Sequence, residues 1–392
     1  MSQLLVREDM AARFRTEMPV CQRWVYLDHA AVAPLPRASR TAIEAWLAEA
    51  TEQGDVVWPS WAEHVEQVRR QFAALVNAEA SEIALVPNTT AGIHLVAEGF
   101  PWQSGDNVIV LANEFPSNQY PWMNLAARGV EARQVPVDDG RVDLQRIADA
   151  CDARTRIVAA SWVGYASGWR LDVKELAELC HRRGALFFLD AIQALGVFPL
   201  DVRNSKVDFF AADGHKWLIG PEGAGVFYCK REHLALLRPL GVGWNSVKHA
   251  SDYNRIELNL RDEAKRYEGG SQNMVGMIGL GASLQLLQEL GVSPRESPVA
   301  ERVLAVTDYA CARLQEIGAK LLSPRAAGHS SGIVTFALPG HDPQRVRSVL
   351  QDAGIVARCR GGGVRISPHG YATADDIDRT IAALVEIQRK DS

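Results

Sequence analysis

The stretch Val207 to Leu218, VDFFAADGHKWL, decides the reading of this chain. Val207, Phe209, Phe210 and Ala211 form a short apolar run, as in a strand covered on both faces. The run passes directly into Asp213, Gly214, His215 and Lys216. A lysine just beyond a buried strand is ordinarily a solvated charge. It becomes a covalent anchor only if the rest of the chain builds a site around it.

Working outward, short apolar runs alternate with helical periodicity. Residues 83–86, 108–111, 130–136, 157–161, 186–189, 207–211 and 225–228 read as strands. Helices are expected over 91–98, after Pro121, and over 144–150 and 173–183. Before them, 37–76 reads as helices, with Ile43, Trp46 and Leu47 on one face and Val65, Val68, Phe72 and Leu75 on another. That alternation predicts an α/β unit around a mostly parallel, seven-stranded sheet. Ahead of it, Trp24 to Leu27 reads as a strand turning into the small-residue loop that starts at Asp28.

Past residue 280 the pattern changes. A helix over 284–290, the loop GVSPRESP, a long helix to about Gly318, strands at 332–338, 355–358 and 364–367, and helices at 343–353 and 374–388 predict a compact α+β unit. The expected division is a large domain over 20–280 and a small one over 281–392, with an arm, 1–19, packing near the latter. A length of 392 residues fits two such domains.

Composition narrows the function. A net charge of −5, with 47% hydrophobic and 23% charged residues, offers no electrostatic case for nucleic acid or an anionic membrane. No run approaches the roughly 20 apolar residues of a membrane span, and MSQLLVREDMAARFR lacks the apolar segment of a signal peptide. The six cysteines are scattered, without CxxC pairs or His/Cys clusters at metal spacing, so neither disulfides nor a metal site is expected. A reducing cytoplasm suits that pattern. Of the ten tryptophans, Trp122, Trp162, Trp169 and Trp244 are candidates to line an aromatic pocket.

In an open α/β sheet the ligand lies outside the carboxyl ends of the strands, and here those ends carry polar residues. Asn88-Thr89-Thr90 opens a helix after residue 86, which suits either a plain N-cap or a phosphate dianion. Asp190 ends an apolar strand, where an unpaired carboxylate is costly. It reads as a helix cap or as the counter-ion of a protonated ring nitrogen, with Gln193 in reach of a phenolic oxygen on that ring. Phe115, on the turn 113–118, can stack on a flat ring or belong to the core. Tyr165 follows residue 161. Arg358, Arg360 and Arg365 surround Gly361-Gly362-Gly363, and Arg365 within an apolar strand needs an anion: a substrate carboxylate or a structural partner. A phosphate cradle, a carboxylate for a ring nitrogen, a stacking aromatic and a lysine together describe a pyridoxal phosphate site.

With those residues assembled, the chain resembles the class V aminotransferase / cysteine desulfurase family of fold-type I pyridoxal phosphate enzymes. The likeness runs from YLDHAA (26–31) to YATADDI (371–377), and its most specific parts are DAIQALG (190–196), DGHKWLIGPEGAG (213–225), YEGGSQN (267–273) and VRISPHGYAT (364–373). The resemblance implies that Lys216 is the catalytic Schiff-base lysine and the acid or base at the substrate α-carbon. It places His215, Thr90 and Thr89 at the phosphate, Asp190 at the ring nitrogen and Gln193 at the ring hydroxyl. Ser271 falls where the partner subunit donates a hydroxyl to the phosphate, implying a homodimer with shared active sites. Arg365 would hold the substrate α-carboxylate, with Tyr165, His29 and Ala30 also on the substrate side.

Two departures bear on the reaction. EFPSNQY (114–120) is closer to the Phe-Pro turn of kynureninases than to the histidine segment of desulfurases, which makes Phe115 the stacking residue. The turn from Arg358 to Arg365 is too short for the loop that carries a desulfurase's persulfide cysteine, and Cys359 is the only thiol there. The expected function is therefore a desulfurase-like C–S lyase working by β-elimination on an amino acid, without a persulfide cysteine. Alternatives are an epimerase resembling isopenicillin N epimerase, a class V aminotransferase, or a catalytically silent binding module on the same fold.

Overall fold

The computed structural model describes residues 7–390. Residues 1–6, part of the expected arm and of the segment read as lacking a signal peptide, lie outside them.

Thirteen strands are formed among the described residues. They are β1 (Val25–Tyr26), β2 (Ile83–Val86), β3 (Asn107–Leu111), β4 (Glu131–Val135), β5 (Thr155–Ser161), β6 (Leu186–Asp190), β7 (Phe209–Asp213), β8 (Gly225–Cys229), β9 (Lys320–Leu321), β10 (Val334–Ala337), β11 (Ile355–Val356), β12 (Arg358–Arg360) and β13 (Gly363–Ile366). Seven of them make the large sheet, in the order β2-β8-β7-β6-β5-β3-β4. Only β8 runs antiparallel to its neighbours, so the sheet is mostly parallel, as the apolar runs predict. Residues β3, β7 and β8 are buried throughout, whereas edge strand β4 carries exposed Glu131 and Gln134.

Side-chain alternation along the strands sorts the phenylalanines into two cores. Phe187 and Phe210 pack on one face of the sheet, Phe188 and Phe209 on the other. Helix Thr89–Ala97 lies close on β7, because a Cβ at Gly92 would come within 2.5 Å of the Ala211 side chain. The Thr89 hydroxyl also accepts from Asp213 N at 2.9 Å. Those two contacts hold the helix N-terminus over the strand that delivers Lys216.

A second sheet, β12-β13-β10-β9, forms the C-terminal unit. Its core includes Phe336, Leu350, Ile366 and Leu384, and also Val25 and Leu27. Helix Glu8–Thr16 meets this unit as well: Arg15 Nη1 pairs with Asp376 Oδ2 at 2.7 Å.

Two features cross the boundaries expected from sequence. Strand β1 pairs in parallel with β11, so residues 25–27 belong with the small unit's core rather than wholly with the large one. Helix Met274–Glu289 begins ten residues before the expected 284 and spans the 280/281 boundary, packing on helices Arg37–Glu52 and Trp58–Val76. Its start, MVGMIGLGAS, is apolar or small on all sides because two helices press on it, so no amphipathic stripe marks it. Leu47, expected beside Ile43 and Trp46, is 58% exposed. No helix among the described residues is long and apolar enough to cross a membrane.

Candidate active site

A cavity of about 260 Å³ opens at the carboxyl ends of the large sheet's strands. It is lined by ten of the residues singled out from sequence: Ala30, Thr89, Thr90, Phe115, Tyr165, Asp190, Gln193, His215, Lys216 and Arg365. Residues nearly 340 positions apart in the chain thus meet at one place.

Lys216 follows β7 and is half-buried. Burial pushes its ammonium down to about 8, against the opposing pull of Asp190, with Arg365 and Arg360 adding to the fall. An amine so perturbed is substantially neutral, and nucleophilic, just above neutrality. Its Nζ lies 5.6 Å from the centroid of the Phe115 ring. That ring is 41% exposed at the cavity rather than in the core, and Tyr165 meets it edge-on at 5.4 Å.

Asp190 ends β6. Burial pushes its carboxyl up to about 6, opposed by the Ile192 N–H and by Lys216. One oxygen accepts from Ile192 N at 3.1 Å. Gln193 lines the cavity with both polar atoms engaged: Nε2 donates to Ala30 O and Oε1 accepts from Trp217 Nε1. One amide hydrogen is left for a ligand.

At the start of helix Thr89–Ala97 the cap is Asn88, which accepts from Ala91 N. The two threonines are therefore not needed as caps. Thr89 turns inward onto β7, while Thr90 Oγ1 donates to Ser117 Oγ at 2.9 Å beside the cavity. His215 Nδ1 stands 3.0 Å from Asp213 Oδ2, in contact but off a hydrogen-bond direction, and Asp213 Oδ1 is buried without a partner.

Arg365 is buried. Its Nη2 pairs with Asp28 Oδ1 at 3.0 Å, its Nη1 donates to Tyr165 O at 2.8 Å, and its Nε is buried without a partner. Asp28 also takes Arg358 Nε at 3.2 Å. Part of the structural ion pair that the sequence left open is thus present, alongside a guanidinium facing the cavity.

Two expectations are corrected. His29 does not line the cavity: it is fully buried, with Nδ1 on Ser367 O and Nε2 on the Tyr371 hydroxyl. Trp122, Trp162 and Trp169 are core residues, and Trp244 is exposed beside a different groove, so no aromatic pocket forms from them. Ser271 lies in that other groove, with Trp244 and Glu268, away from Lys216 of its own chain, which leaves its expected place at a partner's phosphate unchanged. Sequence reasoning missed Ser117, Ser161, Asp213 and Glu114. Glu114 is buried, accepts from Ser161 N at 2.6 Å and from the Ser161 hydroxyl, and is pushed up to about 7 by burial, with Asp190 adding to the rise. Its only sequence signal was a carboxylate following an apolar strand.

These residues fit pyridoxal phosphate. The helix N-terminus, Thr90, Ser117 and His215 would hold a phosphate, and buried Asp190 would hold a cationic ring nitrogen. Phe115 would cover the ring, and Lys216, half-buried and perturbed, would hold the aldehyde carbon. Fold and site together define a pyridoxal phosphate-dependent enzyme of the α/β class.

The comparisons agree. Residues 25–380 match the aminotransferase class-V family. A probable cysteine desulfurase of Methanothermobacter thermautotrophicus is 32% identical over 95% of this chain and 97% of its own length. A cysteine desulfurase of Pectobacterium atrosepticum is 33% identical over 83% and 82%. In three dimensions the apo cysteine desulfurase of Thermococcus onnurineus superposes with a TM-score of 0.87 at 25% identity, covering 96% of this chain and 98% of that one. The chain belongs to the class-V aminotransferase family, and it is an enzyme using pyridoxal phosphate.

Proposed function

We propose that this enzyme cleaves the Cβ–S bond of a sulfur-bearing L-amino acid by β-elimination, with no protein thiol taking part. The observation that carries the reading is the cavity wall. Among the described residues no cysteine lines it. Cys359, the one thiol in the β12–β13 hairpin, donates to Pro343 O at 3.2 Å, and burial raises its pKa, against what a nucleophilic thiolate requires.

When bound, pyridoxal phosphate supplies an electron sink for the pair left at Cα. The chain's own residues do the rest. Arg365 orients the α-carboxylate, using donors now shared with Asp28 and Tyr165. Lys216, neutral in an appreciable fraction near neutral pH, takes the proton from Cα. The Cβ–S bond then breaks, and sulfur leaves with the bonding pair as a thiolate. Hydrolysis of the remaining fragment gives pyruvate and ammonia. Asp190 keeps a positive charge on the ring nitrogen.

Likeness supports the C–S cleavage: the relatives named above are a probable cysteine desulfurase and cysteine desulfurases, and the cystine C–S lyase C-DES, solved with its product cysteine persulfide, superposes with a TM-score of 0.86 at 24% identity. We also place the enzyme in the cytoplasm, in keeping with six free cysteines, and read it as a homodimer with shared sites. Ser271 is exposed in a groove of its own, and exposed Trp244, Tyr253, Ile256 and Leu258 stand on the 244–258 segment.

Product analysis against L-cysteine, L-cystine and S-alkyl-L-cysteines tests the reaction. Pyruvate with stoichiometric sulfide, persulfide or thiol is the expected result. Conversion of the cofactor to its amine form would instead indicate transamination. Solvent deuterium entering Cα with no new product would indicate epimerisation. Either of these as the main reaction overturns the elimination reading.

A further inference from the structure

The hairpin that separates this chain from the persulfide-cysteine pattern has its own chemistry. Arg358 pairs across from Arg365, Cys359 from Val364 and Arg360 from Gly363. The tip is therefore two residues, Gly361 and Gly362, at φ of 58° and 78°. Such a tip needs positive φ at both positions, which glycine supplies without strain. It is also held in place: a Cβ at Gly361 would sit 3.3 Å from Ala166 Cβ, and the Ala166 carbonyl accepts from Thr335 Oγ1 of β10.

Strand alternation puts Arg358 and Arg360 on one face of β12, together with Arg365 opposite Arg358, and turns Cys359 to the other face. Asp28 serves Arg358 and Arg365. Nothing comparable serves Arg360: among the described residues no carboxylate lies within ion-pair distance, and Nη1 donates only to its own strand's Cys359 O. Yet Arg360 lines the Lys216 cavity, and its positive charge is felt by both Lys216 and Arg365. The acidic residues lining that cavity, Asp190 and Asp213, end sheet strands and face Lys216 and His215. Once an α-carboxylate occupies Arg365, Arg360 remains an uncompensated guanidinium, and its natural complement is a second oxyanion.

We propose that Arg360 recognises a second anionic group at the far end of the substrate side chain. The preferred substrates are then amino acids whose β-sulfur substituent ends in a carboxylate, whether thioethers or disulfides. This rests on the reading that the cavity takes an α-amino acid. In elimination the Cβ–S bond breaks, sulfur keeps the pair as a thiolate or persulfide anion, and the departing half carries its carboxylate on Arg360. No oxidant or reductant is consumed.

The test separates binding from elimination. L-Aspartate and L-glutamate, with their amides L-asparagine and L-glutamine, carry no leaving group. Their binding to the holoenzyme is read from the change in the cofactor's visible absorbance. The wild-type protein is expected to bind at least one acid about tenfold more tightly than its amide. Arg360→Gln, at an exposed residue in no ion pair, is expected to bind acid and amide equally. In turnover, S-carboxymethyl-L-cysteine should exceed S-ethyl-L-cysteine about tenfold in kcat/KM, and that ratio should fall to near one in the variant. Equal binding of acid and amide by the wild type, or a preference that survives Arg360→Gln, would overturn the assignment. An acid preference without any pyruvate from sulfur substrates would leave Arg360's role standing and remove the elimination reading alone.

Discussion

Asp28 Oδ1 and Arg365 Nη2 lie 3.0 Å apart with both side chains buried, and the other oxygen of Asp28 reaches Arg358 Nε. One carboxylate from the start of the chain thus neutralises two guanidinium groups from its last strands. Removing it leaves Arg365 charged in a buried place, which costs far more than the pair itself contributes. Asp28→Ala is expected to destabilise the protein by about 3–5 kcal/mol in urea unfolding and to raise KM for amino acids. A variant with an unchanged urea midpoint would show that Arg365 is compensated otherwise.

Lys216→Ala is expected to fold as the wild type does, by circular dichroism. The variant should bind pyridoxal phosphate in a form that borohydride does not fix to the chain. Turnover should fall by about 10³-fold or more, the range expected for losing a general base together with the anchoring amine. Retention of full turnover would end the mechanism proposed above.

The ammonium of Lys216 also sets a pH signature. In the cofactor-free protein its reaction with an amine-directed reagent should reach half-maximal rate near pH 8, well below the 10.5 of an unperturbed lysine. The sign for stability follows. Between those two values the unfolded chain holds a proton that the folded chain has lost, so this group makes the folded state more stable as pH rises through that window. Peptide mapping of the modified residue against pH checks the midpoint, and a titration at 10.5 refutes it.

How much of this was legible in the sequence depended on what each residue packs against. Strands β6 and β7 are buried along almost their whole length, so their apolar runs identified them and put Asp190 at the end of one and Lys216 just past the end of the other. Helix Met274–Glu289 is pressed from two sides, which erased the periodicity at its start. His29 was misplaced because it sits one residue from Ala30, which does line the cavity, while its own ring points into a buried cluster with Tyr371 and His369. Neither the pairing of β1 with β11 nor the Arg69–Glu268 ion pair, made across 199 residues, leaves a local signal to read.

Glu114 gives the most discriminating prediction, because nothing in its position requires it to titrate. It sits beneath the cavity wall, holding both the N–H and the hydroxyl of Ser161, whose strand end stands in register with Asp190. Burial pushes its carboxyl up to about 7 from 4.5, with Asp190 adding to the rise and the Ser161 hydrogen bonds opposing it. Between pH 4.5 and 7 the folded protein therefore holds a proton that the unfolded chain has released. Stability must fall as pH rises through that window, by on the order of 3 kcal/mol from this group. Asp190 behaves likewise between 3.8 and about 6, so part of the slope survives when Glu114 is removed. Glu114→Gln keeps an acceptor for Ser161 N and is neutral at every pH. Its stability relative to the wild type, from urea midpoints of the cofactor-free protein, should rise between pH 5 and pH 8. An equal difference at both pH values would mean that Glu114 stays ionised in the folded protein, and that the Ser161 hydrogen bonds outweigh its burial.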